Sequence, residues 1–185
     1  MITVDEKLEK TLGEDVNIRP IKNKEIVVDR ELRKACEQNY CGHYGKNCMC
    51  PPLVGDIDEC IDKVQAAGDG LLIQSVFQLE DSLDFEGMMK AAEDHTANFL
   101  KLKSIVEESL DETSVILPLN AGQCTTCPEC AALEEGGRCR TPEKAIASVE
   151  SHGIDVMKTL GRVGLQYNNG TNTVSYVGVI LEKDG

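Results

Sequence analysis

The chain has 185 residues, 41% hydrophobic and 28% charged, enough for one compact domain with a core of its own. Its 32 acidic and 19 basic side chains give a formal net charge of −13, a field that repels nucleic-acid phosphates and anionic membranes. The opening MITVDEKLEKTLGEDV lacks the apolar run of a secretory signal, and no window approaches the roughly 20 apolar residues that span a bilayer. A soluble, cytoplasmic protein is expected, binding neither nucleic acid nor membrane.

In chain order, residues 1–20 are polar and read as an N-terminal segment, loosely packed or forming one short first element; residues 21–185 read as the domain proper. KEIVVD (24–29) reads as a strand. DRELRKACEQ (29–38) reads as a helix with Asp29 as its N-cap and Leu32, Ala35 and Cys36 on one face. NYCGHYGKNCMCPPLVGD (39–56) is a loop, because Pro51 and Pro52 after Cys50 forbid a continuing helix. DIDECIDKVQAAG (56–68) places Ile57, Cys60, Ile61 and Val64 at helical spacing and stops at Gly68.

GLLIQSVFQL (70–79) reads as a buried strand. Residues 85–110 form the longest helical pattern, with a stripe of Phe85, Met88, Met89, Ala92, Thr96, Phe99, Leu100, Val106 and Leu110. TSVILPLNA (113–121) is a third strand, leading straight into Cys124. TPEKAIASVESHG (141–153) reads as a helix with Thr141 as N-cap and Pro142 at its first position, followed by a short helix in IDVMKTLGRVG. Asn169-Gly170 marks a hairpin turn between two β-rich runs that end the chain. The alternation implies an α/β (or α+β) fold: a single small domain, a mixed sheet of about four to five strands, helices packed on it and two cysteine-rich loops.

Nine cysteines are many for a reducing compartment, where clustered thiols point to metal binding or catalysis rather than to disulfides. Four of them form Cys124-x2-Cys127-x2-Cys130-x8-Cys139. Steps of three drift by about 60° each around a helix, so one helical face cannot gather all three of the run. A turning loop can, with the fourth returning through Gly136-Gly137. Thiolates this close repel one another unless a cation sits among them, and the metal's binding energy then becomes folding energy. Zinc sites favour two separated Cys-x2-4-Cys pairs, whereas a Cys-x2-Cys-x2-Cys run with a remote fourth ligand is the ferredoxin way of holding a [4Fe–4S] cube. One or two [4Fe–4S] clusters are expected, with zinc as the alternative.

The first group is Cys36-x4-Cys41-x6-Cys48-x-Cys50-Pro-Pro. Cys36, Cys41 and Cys50 are its first-choice ligands. Cys48 is a fourth ligand, a spare thiol or a redox thiol. Cys60 shares a helix face with Ile57 and Ile61 and reads foremost as a buried small hydrophobe, with the missing fourth ligand as its other reading.

CEQNYCGHYGKNCMCPP, followed at a distance by GQCTTCPECAALEEGGRCRTPEKAIASVESHGIDVMKT, resembles a family of predicted cysteine-rich metal-binding proteins, domain of unknown function 2284. Cys36, Cys41, YGKN, CPP at 50–52, Cys124, Cys127, Cys130, CRTPEKA and GIDV carry the resemblance. It implies metal binding and names no reaction. Cys48 departs from the pattern, which implies a tryptophan or similarly bulky residue there and so argues against Cys48 as a required ligand.

Among the remaining candidates, His43 lies inside the first loop and reads as a solvent-facing residue or a ligand; His95 reads as a partly buried structural residue; His152 sits at a helix end where a cation is favoured. Arg138 and Arg140 flank Cys139 and read as charge compensation for a thiolate centre, as a dock for an acidic partner, or as solvated loop residues. Tyr40 and Tyr44 read as a shield for the first loop or as core. The sequence thus supports an electron-transfer iron–sulfur protein serving a redox partner. A zinc-stabilised interaction module is the alternative, and an enzyme whose cluster keeps one iron open is a third reading.

Overall fold

The computed structural model describes residues 12, 13, 15–111 and 114–183. Five strands form one mixed sheet: β1 (Val16–Ile21), β2 (Gly70–Gln78), β3 (Val115–Asn120), β4 (Ala147–Ser148) and β5 (Thr173–Lys183). They lie in the order β1-β2-β5-β3-β4, all neighbours antiparallel except β3 and β4. Among the described residues four α-helices accompany them: α1 (Arg33–Glu37), α2 (Ile57–Gln65), α3 (Phe85–Ser109) and α4 (Val156–Arg162). The sheet and helices make the mixed α/β domain expected from the sequence. The start of the expected N-terminal segment, residues 1–11, lies outside the described residues, while Val16–Ile21 forms the edge strand β1.

The sheet is covered on both faces. Leu71, Ile73, Ile180 and Ile18 point to α3, which answers with Phe99, Leu102 and Val106. Leu72, Val177, Val179, Leu181 and Leu119 point the other way, onto Val64 of α2, Leu160 of α4, Val149 and Ile154. Burial on both faces is why β2 reads as an unbroken apolar run rather than an alternating one: Leu71, Leu72 and Ile73 are fully buried. Met49 and Val54, from the first cysteine loop, pack on this second core. The first loop therefore lies on the same side of the sheet as α2 and α4.

Several local readings change. The expected strand at 24–29 is a short 3₁₀ turn (Asn23–Glu25) and a single bridge from Val28 to Ile154. Asp29 does cap the next segment, accepting from Glu31 N–H, but the helix is a 3₁₀ turn followed by the five residues of α1. The helix expected over 141–153 is one turn, with Lys144 and Ala145 N–H on Thr141 C=O, after which the chain enters β4. Pairing of Leu119 with Ala147 and Asn120 with Ser148 wins there over helical propensity. The terminal hairpin is absent because β2 and β5 pair along one edge of β5 and β3 takes the other, leaving no edge for a hairpin partner. The residues before Asn169-Gly170 form a loop whose Gln166 C=O accepts from Gln74 Nε2 at 2.7 Å.

α3 keeps its expected length, but its buried stripe is Ala91, His95, Phe99, Leu102 and Val106. Phe85, Met89 and Leu100 project on the other side, 67%, 67% and 46% exposed. The expected stripe shares Phe99 and Val106 with the buried one but missed Ala91, His95 and Leu102 and so spread over more than one face. His95 is fully buried rather than partly so; Ser75 Oγ lies 2.8 Å from its Nδ1.

Candidate metal centre

The second cysteine run fills the crossover from β3 to β4. These two strands are adjacent and parallel, so the chain must leave Asn120, travel over the sheet end and return at Ala147. That excursion is almost free of regular structure, holding one 3₁₀ turn at Ala131–Leu133. Its turn back is tight: a Cβ on Gly137 would stand 1.7 Å from the Ala131 carbonyl oxygen, so only glycine fits where the chain swings round to Cys139.

Cys124, Cys127, Cys130 and Cys139 line one cavity, and Cys48 of the first loop lines it with them. The two loops meet here. Cys48 N–H donates to Cys130 Sγ at 3.2 Å, and Asn47 Nδ2 donates to Cys124 C=O at 2.9 Å. Asn47 Oδ1 also accepts from Met49 N–H at 2.9 Å, which ties the clasp to a residue packed on the core. Asn47 is buried, as are Cys48 and Cys50. Hydroxyls touch the sulfurs as well: Thr126 Oγ1 lies 3.3 Å from Cys124 Sγ, and Thr141 Oγ1 lies 3.7 Å from Cys127 Sγ.

All nine cysteines are free thiols. Burial pushes the Cys130 thiol up, but N–H donation from Ala132 and Cys48, the Cys48 thiol and the nearby Arg140 outweigh it and lower the pKa overall. Burial raises Cys48 to about 11, helped by its hydrogen bond to Cys130 and by the charges of Cys130 and Cys139. Of the two thiols, Cys130 is thus the more readily ionised. Arg140 pairs with Glu134 and donates to Glu129 C=O at 3.1 Å, and its charge bears on Cys127 and Cys130. Of the two arginines, Arg140 is the one within reach of thiols in the way that charge compensation requires. Arg138 is exposed.

Cys36, Cys41 and Cys50 form a second, looser group. Burial raises Cys50 to about 12, and it feels Cys41 and Cys36 on one side and Cys124 and Cys130 on the other. Burial, Glu150, Cys41 and Glu37 raise Cys36, while Arg33 pulls it down. Cys50 itself does not line the first cavity. Cys60 has no place in either: it is fully buried in α2, its sulfur 3.6 Å from Arg33 Nη2 and 3.9 Å from Val54 C=O. The packing role expected of it holds. His43 is half-buried in the first loop, with its C=O accepting from Lys46 N–H. His152 is buried and its pKa is lowered to about 4, so it is a neutral core residue and not a helix-end cation. Tyr40 is 89% exposed and shields nothing.

The donor set fits a thiolate-bound metal centre: sulfurs from two loops, a backbone N–H donated to one of them, hydroxyls in contact with two others, and an arginine beside them. The space among the thiols is about 20 Å³, room for an ion-sized sphere. Among the described residues, no three His, Cys, Asp or Glu side chains already stand close enough to share one ion. Anything larger requires side chains to turn outward, which Cys124, Cys127 and Cys139 can do from partly exposed loop positions. The sequence missed Asn47, Thr126 and Thr141. Asn47, as the last residue of YGKN, and Thr141, inside CRTPEKA, lay in stretches that carried the resemblance; Thr126 did not.

These features define a small mixed-sheet domain with a thiol-lined cavity between two loops. A family described as "Predicted metal-binding protein (DUF2284)" matches residues 19–181, and the chain belongs to that family. No curated protein and no solved structure matches the chain.

Proposed function

We propose that this protein holds a [4Fe–4S] cluster between Cys124, Cys127, Cys130 and Cys139 and exchanges electrons with a redox partner protein in the cytoplasm. The observation that carries the reading is the spacing Cys-x2-Cys-x2-Cys with Cys139 returning to the same cavity. A cluster bound there supplies one-electron transfer. The chain supplies thiolates, N–H bonds from Cys48 to sulfur, the charge of Arg140 and burial by the first loop, which together tune a potential. Cys36, Cys41 and Cys50 are the ligands proposed for a second centre, and the charges of Cys124 and Cys130 from the first group bear on Cys50. With Cys60 committed to packing and Cys48 turned to the other cavity, that centre has three thiols and a fourth position open to a non-cysteine ligand, the arrangement an enzymatic site would need. The acidic surface, net charge −13, suits a partner with a cationic docking face.

A zinc-stabilised interaction module is the second reading, favoured by the ion-sized space among the thiols. Anaerobic purification with iron, zinc and acid-labile sulfide analysis separates the two. The iron–sulfur reading expects a brown protein whose visible absorption is bleached by dithionite. Colourless protein with stoichiometric zinc and no sulfide overturns it.

A further inference from the structure

A cubane has four corners for protein ligands, and five thiols line this cavity. Cys124, Cys127 and Cys130 come from one continuous run and leave one corner for two candidates. Cys139 arrives on the return loop, partly exposed, between Arg138 and Arg140. Cys48 arrives from the other loop, 7% exposed. Its backbone is fixed against the centre twice over, by its own N–H on Cys130 Sγ and by the Asn47 clasp on Cys124 C=O. Unlike Cys60, which packs away from both cysteine groups, Cys48 lines the cavity together with Cys130 and Cys139.

We propose that Cys48 is a reserve ligand of this centre, interchangeable with Cys139 at the fourth corner. The inference rests on the cluster reading above. The exchange is a thiol-for-thiolate substitution. The metal–sulfur bond to Cys139 breaks, the one to Cys48 forms, and the Cys48 proton passes to the Cys139 sulfur, so no oxidant or reductant is consumed. The two arrangements differ in surroundings: an exposed, arginine-flanked sulfur in one, a buried sulfur from the core-packed first loop in the other. Charge and burial around the cluster change with the swap, and these are quantities that set its potential.

The test compares wild type, C48A, C139A and C48A/C139A, all prepared anaerobically. Iron, acid-labile sulfide and the paramagnetic spectrum of the dithionite-reduced protein, with and without cyanide, are measured for each and read as differences from wild type. Both single variants are expected to keep wild-type iron and sulfide and to show no cyanide response beyond that of wild type. The double variant is expected to lose iron or to bind cyanide at the open corner. Loss of iron, or a new cyanide response, in C139A alone overturns the proposal, because Cys48 has then failed to take the corner. A double variant indistinguishable from wild type overturns it too, because neither thiol is then a ligand. C139S, which keeps the side chain's size, stands in for C139A if the alanine variant is insoluble. Wild type without iron and sulfide sinks the cluster reading and the inference together; loaded wild type with a depleted C139A sinks the inference alone.

Discussion

Asn47 holds the two cysteine loops in register through two hydrogen bonds: buried, it donates to Cys124 C=O and accepts from Met49 N–H. Asn47→Ala leaves a buried donor and acceptor unpaired, at a cost of about 1–3 kcal/mol. A lowered denaturation midpoint together with faster metal loss to a chelator is the expected outcome; unchanged metal retention would show that the clasp does not organise the centre. The buried histidines set the acid response. Burial holds His95 at about 4, against a slight rise from Asn120, and holds His152 at about 4 with the nearby charges of Lys63 and Arg33 adding to the effect. Unfolded, both titrate near 6.5. Above that pH neither state is protonated and neither residue affects stability. Between about 6.5 and about 4 the unfolded chain takes up protons that the folded one refuses, so stability falls as pH falls, by on the order of 3 kcal/mol for each histidine. Denaturant titrations from pH 7 to pH 4.5 should show this slope, and His95→Gln should make it shallower. At this scale the sequence showed which residue type lines the cavity, because the thiols stand at short spacing. It could not disclose which sulfur faces which, since Cys48 and Cys50 are two residues apart and turn to different groups.

The elements explain why the long patterns were readable and the short ones were not. α2, α3, β2 and β3 each bury a continuous face, and their periodicity survives in the sequence. β4 is two residues long and exists only because β3 offers it an edge, a tertiary fact with no local signature. β5 was legible as a β-rich run at the chain end, but its partners were not, because its neighbours come from distant parts of the chain. Close packing between elements gives two further tests. A Cβ on Gly178 of β5 would lie 2.6 Å from the Phe99 ring and 3.0 Å from Asn120 Oδ1. Gly178→Ala should therefore cost about 1–3 kcal/mol by overpacking α3 against the sheet, read as a fall in thermal midpoint. Gly137→Ala meets backbone rather than a side chain and cannot be relieved by a rotamer change. It should displace Cys139 and the return loop while leaving the far-UV circular dichroism of the sheet intact; a wild-type spectrum of the bound metal with wild-type stability would count against that account.

Across the whole molecule, the two cores on either face of the sheet are built from aliphatic residues and Phe99, with none of the thiols among their buried members. Stripping the metal under reducing, anaerobic conditions should therefore free the segment 121–146 to proteolysis while the sheet persists. Cleavage mapped to that segment with retained secondary structure is expected, and cooperative loss of all secondary structure would contradict it. The overall class was legible because alternating helix and strand patterns leave few architectures. The strand order was not, because β5 inserts between β2 and β3 and that choice is made by pairing alone. The clasp between the loops spans 77 residues and the sulfur hydrogen bond spans 82. During synthesis, Cys36 to Cys50 leave the ribosome long before Cys124 to Cys139 exist, and β5, the strand both β2 and β3 require, emerges later still. Closure of the thiol-lined cavity is thus a finishing step of folding, and a nascent chain carries its early thiols uncovered until the last strand is in place.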